Sequence, residues 1–440
     1  DDEYGRYLES FVDAFHLDRH IVRNCDVRKI APSGESDWEL TLVRNGQVST
    51  DVFSAIIVCT GLADQPRPLD DCPIATLRSI NSETLVAENR IVVMGGGESA
   101  VDMAQRLSRP ELNNQVYLSL RSGVRVSPRY HPIRGVPSDF LRNRLLLSIH
   151  PDLRNWIGQK FVEFRMRYDE RLRRLFPSAT RPSASSDRDV AAKRRYWDLK
   201  LTRTAKDRLF NMYHNKSDDF LDSVAAGRLA IIGTNVDSSY REFFQFDSHD
   251  SVTVAPDLIV PAIGYKSTLS EISAGELALR DFFLGCCHVR HDNLYLVGFT
   301  RPIIGNIPSI SEMQARYVSG LIAGRFARPD LLAAQHQVNR ERLERCYPQL
   351  DTANVYPVEM FPYCDQLARL MHCYPSRQRV GSLGQWLRMM LAPATTMHYF
   401  DAFFDEARTR RTPIHAPAAI TFLLLLIKPF DLLYCLLRRK

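Results

Sequence analysis

Residues 91–100 read IVVMGGGESA. An apolar run of strand length passes into a G-x-G-x-x-A, and helix-period residues follow to Leu107. Each small residue has a physical task in such a turn. Gly95 permits the tight bend, Gly97 lets the backbone approach a pyrophosphate, and Ala100 lets the helix pack close to the strand. Glu98 and Ser99 open the helix, where N–H groups without intrahelical partners face a phosphate. A second apolar run, Val116–Leu120, completes a βαβ unit of about thirty residues. A dinucleotide site on a parallel sheet is therefore expected.

The second strand selects the nucleotide. In NAD binders an acidic residue about twenty positions after the glycines holds the ribose 2′-hydroxyl. Here the strand ends in Leu120-Arg121-Ser122-Gly123, with Arg125 and Arg129 close behind. The guanidinium of Arg121 and the hydroxyl of Ser122 suit a 2′-phosphate, so NADP is favoured over NAD. Arg125 and Arg129 have a plainer reading as a solvated loop.

Around this unit the pattern changes several times. Residues 4–16 read as an amphipathic helix. No charged-then-apolar leader precedes them, and the chain reads as starting inside a domain, as a fragment of a longer protein. His20–Arg28, Trp38–Arg44 and Gln47–Val52 read as short antiparallel strands, with turns at Ser33-Gly34 and Asn45-Gly46. Helical segments are expected over Phe140–Phe176 and Ala191–Met212, and strands return at Leu229–Ile232, Leu258–Ile263 and Leu294–Val297. An apolar fraction of 45% and a charged fraction of 25% exclude wholesale disorder, collagen and coiled coil. Nine cysteines without a C-x-x-C argue against a zinc ribbon or a dithiol redox pair, and point to a reducing compartment.

Two further apolar strands end in glycine: IIVCTG (Ile56–Gly61) and LIVPAIGY (Leu258–Tyr265). A glycine where a buried strand leaves a sheet allows close backbone approach to a ligand. With the Gly95 loop between them, the arrangement resembles two-dinucleotide flavoproteins. More specifically, the chain resembles the flavin-containing monooxygenases over about three quarters of its length. EYGRYLESFVDAFHL is similar to that family's leading helix, and VCTG (Val58–Gly61) to its first crossover strand. MGGGESAVDMA (Met94–Ala104) resembles its NADPH loop, and LSLRSGVRVSPR (Leu118–Arg129) the strand that reads the 2′-phosphate. RGVPSDF (Arg134–Phe140), DLIVPAIGY (Asp257–Tyr265) and LYLVGFTRPIIGNIPSISEMQAR (Leu294–Arg316) match in order.

Two departures accompany the resemblance. The family's first GxGxxG, which holds the ADP part of FAD, has no counterpart here, nor does the active-site asparagine near it. The stretch Ile74–Ser82 lacks the glycine and histidine of an FxGxxxHxxxY/F signature, which argues against a Baeyer–Villiger subtype.

The resemblance implies an α/β fold with a Rossmann-like NADPH domain (86–250, with a helical insert at 132–222) set into an FAD domain (1–72 and 251–330). A C-terminal helical region, 331–440, would follow. The implied cofactors are FAD and NADP. The implied reaction oxygenates an amine nitrogen or sulfide sulfur of a small molecule with NADPH and O2, through a C4a-hydroperoxyflavin. Thr60, Gly61, Gly264 and Gly298 would line the flavin and the crossovers, with Asn306 and Gln314 as polar contacts; no catalytic side chain is assigned. An NADPH oxidase-like flavoprotein and a defective NADP(H)-binding relic that cannot hold FAD are the competing readings.

Other features carry less. Cys286, Cys287, His288 and His291 cluster in sequence, but adjacent cysteines rarely share a tetrahedral metal, so no metal is expected. His131 reads as a loop histidine. Residues 151–210 hold 16 Lys/Arg against 8 Asp/Glu, while the whole chain is only +6. Without a readout motif this indicates a solvated or lipid-facing surface and no nucleic-acid partner. Residues 417–437 are apolar but carry Lys428, Pro429 and Asp431. Pro429 is expected to break the segment into two arms, giving an in-plane or hairpin membrane anchor at the cytoplasmic face, and a terminal helix docked on the flavin domain is the competing reading.

Overall fold

The computed structural model describes residues 2–63, 65–78, 86–130, 137, 142–160, 163–164, 188–205, 215–266, 268–380, 382–393, 395–399 and 418–438. Ile91, Val92 and Val93 of β6 (Arg90–Met94) are fully buried, because strands pair on both of its edges and an apolar cluster packs on each of its faces. On one side lies β7 (Gln115–Ser119), on the other β13 (Leu258–Pro261), both parallel. β10 (Leu229–Asn235) continues the sheet beyond β7, and β11 (Glu242–Gln245) and β12 (Ser251–Thr253) close it antiparallel. This sheet thus takes in strands past the boundary expected at residue 250. α2 (Glu98–Leu107) packs on it through Ala100, Val101, Ala104 and Leu107.

A second, smaller sheet has the order β15 (Phe282–Phe283), β16 (Cys287–His288), β17 (Leu294–Leu296), β4 (Ile56–Val58). β4 and β17 are parallel. The sequence suggests burial on both faces of β4, yet it is the sheet's edge among the described strands, and Ile57 is 43% exposed. β1 (Cys25–Ser33), β2 (Asp37–Arg44) and β3 (Gln47–Phe53) form the antiparallel meander. Its Asn45-Gly46 turn has φ of 50° and 78°, the two positive values that a tight hairpin needs. α1 (Asp2–Ala14) is helical as expected, and none of its residues is buried.

The two sheets are joined by their crossovers. β5 (Gln65–Pro66) pairs antiparallel with β14 (Tyr265–Lys266), and Arg67 N–H donates to the Gly264 carbonyl at 2.9 Å. The hydroxyl of Thr60 lies 2.9 Å from that of Thr268, at the start of the short helix Thr268–Ile272. The C-terminal ends of β4 and β13 are thereby held side by side.

The C-terminal region adds α3 (Ile307–Ile322), α4 (Leu332–Cys346), α5 (Met360–Leu370) and α6 (Ala418–Arg438), with β19 (Tyr356–Glu359) parallel to β18 (Thr300–Ile304). Buried charge fixes it to the insert. Arg144 donates to both oxygens of Asp365, lies 4.3 Å over the Phe361 ring, and Tyr399 also donates to Asp365 at 2.8 Å. Arg154 pairs with Glu359. α6 runs unbroken through Pro429, contrary to the two-armed expectation. Lys428 donates to the Ser148 carbonyl at 2.7 Å and Asp431 accepts from His150 N–H at 2.6 Å. These anchors on both sides of the proline offset the lost helix bond.

His398 is fully buried beside this cluster and stacks on Phe361. Burial, and then the Arg144 charge, lower its pKa from 6.5 to about 3. The unfolded chain takes the proton first as pH falls, so the stability present above about pH 6.5 is lost on the way to pH 3. At pH 5 this one group should cost about 2 kcal/mol. Urea midpoints at pH 7 and pH 5 measure it, and His398→Leu should shrink the difference.

Candidate functional site

Gly95 and Gly97 differ in what requires them. Gly95 has φ +130°, and a Cβ there would fall against the Ala262 carbonyl oxygen. Its freedom serves the close passage of the β13 crossover and the turn itself. Gly97 has an ordinary φ of −86° and caps α2. A Cβ there would meet no atom within 4 Å, so the space over it is open. No side chain caps α2, and its first backbone bond is Val101 N–H to the Gly97 carbonyl. The N–H groups of the first turn, Glu98 and Ser99 among them, therefore meet that open space, the arrangement an anion needs. Ala100 is fully buried, as close packing of α2 on β6 requires.

The basic residues after β7 divide sharply. Arg129 donates to both oxygens of Asp102 on α2, at 2.9 and 2.7 Å, and Arg125 is buried. Neither is the freely solvated loop residue that the sequence suggests. Arg121 is exposed and has no hydrogen-bond or ion-pair partner among the described residues, and Ser122 beside it is half-buried. Two supports of this loop escape sequence reasoning. A Cβ at Gly123 would collide with Leu201 and Thr204 of the helix Arg188–Thr204, and Gly123 N–H donates to the Thr204 carbonyl at 3.1 Å. The Asn215 amide, 2% exposed, donates to the Gly96 carbonyl at 2.9 Å. Nothing local in the sequence marks Asn215, since its partner is 119 residues away.

The remaining sequence-selected residues follow β4, β13 and β17 or belong to α3 and its cap. Gly61 (φ +75°) and Gly264 (φ +103°) both have open space where a Cβ would stand. Gly298 (φ +87°) follows β17, beside the end of β4. Gln314 is fully buried. Its oxygen accepts from Gly298 N–H at 3.0 Å, and its amide donates to the Tyr363 hydroxyl at 2.8 Å. That hydroxyl donates to the Leu284 carbonyl at 2.6 Å. Gln314 thus clamps the Gly298 turn from beneath. Asn306 caps α3 by accepting from Ser309 N–H at 2.9 Å, and its amide nitrogen lies 4.0 Å from the Met360 sulfur.

The Cys286–His291 group is structural in its contacts. The two thiols lie 3.8 Å apart, and His288 Nδ1 accepts from the N–H groups of Arg290 and His291. Burial, then the neighbouring charges, lower His288 to about 4. Among the described residues no group of three or more His, Cys, Asp or Glu is placed to hold a metal. His131 lies outside the described residues, as does most of Arg134–Phe140.

The geometry fits two dinucleotides. A nicotinamide nucleotide suits the open room over Gly97, the uncapped start of α2 and the unpartnered Arg121. A flavin suits the strand-end backbone at Gly61 and Gly264, where nothing lies within 4 Å of a Cβ, and at Gly298, where the Ser311 hydroxyl lies 3.7 Å from one. The flavin-binding monooxygenase-like family model matches residues 1–181. Flavin-containing monooxygenase 1 of Mus musculus is 23% identical over 427 residues, covering 89% of this chain and 72% of that protein. The chain is thus similar in sequence to the flavin-containing monooxygenases.

Proteins of other named activities are similar as well. A 4-hydroxybenzoate brominase (decarboxylating) of Marinomonas mediterranea is 26% identical over 395 residues, 85% of this chain and 70% of that one. Among solved structures, epsilon-caprolactone-bound cyclohexanone monooxygenase aligns with a TM-score of 0.52 at 15% identity, over 83% of this chain and 82% of that one. Oxidized steroid monooxygenase bound to NADP also gives 0.52, at 16% identity, over 84% and 83%. The fold is thus the α/β two-dinucleotide-binding architecture.

Proposed function

We propose that this chain is part of a flavin-dependent monooxygenase that uses NADPH and O2 to place one oxygen atom on a soft nucleophile, an amine nitrogen or a sulfide sulfur. One observation carries the reading: the β5–β14 pair and the Thr60–Thr268 contact hold the strand ends of both sheets together. A nicotinamide on the Gly97 side and a flavin on the Gly61 and Gly298 side then meet over one edge. When bound, the flavin supplies two-electron and O2 chemistry. This chain's residues bind, orient and exclude water. The first turn of α2 holds the pyrophosphate, Arg121 and Ser122 take the 2′-phosphate, and Gln314 fixes the Gly298 N–H. In balance, NADPH, a proton, O2 and the substrate give NADP+, water and the oxygenated substrate. The experiment supplies a sulfide, a tertiary amine, and separately 4-hydroxybenzoate with bromide, the last because two similar relatives are named as brominases of that compound. Sulfoxide or N-oxide formation supports the reading. Bromophenol formation alone, or peroxide alone, overturns it.

Arg121→Ala should weaken NADPH by about 10- to 100-fold, the worth of one charge-assisted contact. NADH, without the 2′-phosphate, should change little. Equal loss for both, by fluorescence titration, would remove Arg121 from this role.

We propose too that α6 rests on a membrane surface. No described helix is long and apolar enough to cross one. Yet α6 turns its polar side to residues 148–152 and leaves Leu426, Phe430 and Leu433 more than half exposed. An apolar face open outward fits in-plane insertion. The full chain should sediment with anionic vesicles in high salt, and Leu426→Glu/Phe430→Glu/Leu433→Glu should stay in the supernatant. Equal sedimentation of the two would refute the contact.

A further inference from the structure

A cavity of about 970 Å³ lies between residues 147–152, the end of α4, β19 and α6, with Tyr363 of α5 also in its wall. That volume is at the upper end for a small-molecule site. Leu147, Ile149, Leu343, Val358 and several prolines make most of its wall apolar, and Cys435 brings α6 to its margin.

Asp152 and Glu359 line the cavity against Arg342 and Arg345, and Arg154 behind the wall tips the balance to positive. Glu359 is neutralised by the buried Arg154. Asp152 lies 4.0 Å from the His150 ring and 3.4 Å from the Tyr434 hydroxyl. Arg342 and Arg345 also line the cavity, and neither has a hydrogen-bond or ion-pair partner among the described residues. They stand three residues apart on α4, so they share one face of that helix. Both act on one lining group: burial raises the Cys346 thiol pKa, and Arg342 and Arg345 each oppose the rise. Two unpaired guanidiniums over an apolar hollow match a ligand with an acid group and a hydrocarbon part.

The margin of the cavity supplies the third observation. Leu432, Leu433, Leu436 and Leu437 flank Cys435 and are all more than half exposed. A hydrocarbon chain leaving the cavity past Cys435 would run onto this apolar face without crossing a polar rim.

We propose that this cavity binds a single-chain anionic amphiphile, a long-chain carboxylate or phosphate monoester. Its acid group meets Arg342 and Arg345, and its chain lies along Leu147, Ile149 and Val358 towards Cys435. The proposal does not rest on the oxygenation reading.

Calorimetric titration of the full chain tests it, with laurate and dodecyl phosphate below their micelle concentrations. Dodecanol and inorganic phosphate serve as the chain-only and anion-only probes. The expected result is saturable one-to-one binding of an anionic amphiphile, at least tenfold tighter than either control. The relative strength of laurate and dodecyl phosphate identifies the preferred acid group. Arg342→Ala/Arg345→Ala should lower that affinity at least tenfold, and the double lysine variant should restore part of it. NADP+ affinity should stay unchanged in both, which separates a lost site from a lost fold. Equal binding of dodecanol and laurate, equal binding of phosphate and dodecyl phosphate, no saturable heat, or indifference to the double alanine change would each overturn the proposal.

Discussion

Gly97→Val should leave the protein folded and remove its hold on NADP. The backbone at Gly97 has φ −86°, which any residue adopts, and no atom lies within 4 Å of the added Cβ. Melting temperature should therefore hardly move. The valine side chain would stand where the pyrophosphate comes closest to the backbone, and a displaced charge-assisted contact costs about 3 kcal/mol, roughly 100-fold in affinity. Gly95→Ala, two residues earlier, should do the reverse. Its φ of +130° and the Ala262 carbonyl leave no place for a Cβ. Strain and overpacking together cost about 2–5 kcal/mol. NADP+ titration and thermal unfolding of both variants check the contrast. Loss of folding in Gly97→Val would mean that the open space over the loop does not exist.

Asp365→Ala should be among the most destabilising single changes outside the cofactor edges. It removes the acceptor of Arg144 and of the Tyr399 hydroxyl at once. Arg144 is 7% exposed and would be left as a buried charge without a counterion. Breaking such a pair from one side costs about 3–5 kcal/mol. Asp365→Asn, which keeps one oxygen acceptor and the side-chain volume, should cost less. Urea unfolding followed by tryptophan fluorescence measures both.

Local pattern made the nicotinamide half legible. The run Ile91–Met94, the glycines and the apolar stripe of α2 are contiguous, and their periodicity states both the strand and the helix. The three-stranded meander was readable for the same reason, its turns carrying Ser33-Gly34 and Asn45-Gly46. Long-range contacts were not readable. Asn215 reaches Gly96 across the insert, Arg144 reaches Asp365 across 221 residues, and neither pair has a short-range signature. The fate of the basic loop needed three dimensions as well. Arg121 and Arg129 look alike in sequence, and only the position of Asp102 on α2 shows that Arg129 is engaged. At Gln314 the residue type suggested a polar contact near the flavin, but burial turns its amide inward to Gly298 and Tyr363. Pro429 misled in the other direction, because the docking of Lys428 and Asp431 outweighs a local helix breaker.

Turnover of an aryl methyl sulfide under 18O2 tests the central claim most directly, with NADPH oxidation, O2 uptake and product followed together. The account predicts equal amounts of NADPH consumed, O2 consumed and sulfoxide formed, with one 18O atom in each sulfoxide. NADPH oxidation that yields only hydrogen peroxide, or sulfoxide whose oxygen comes from water, would contradict it.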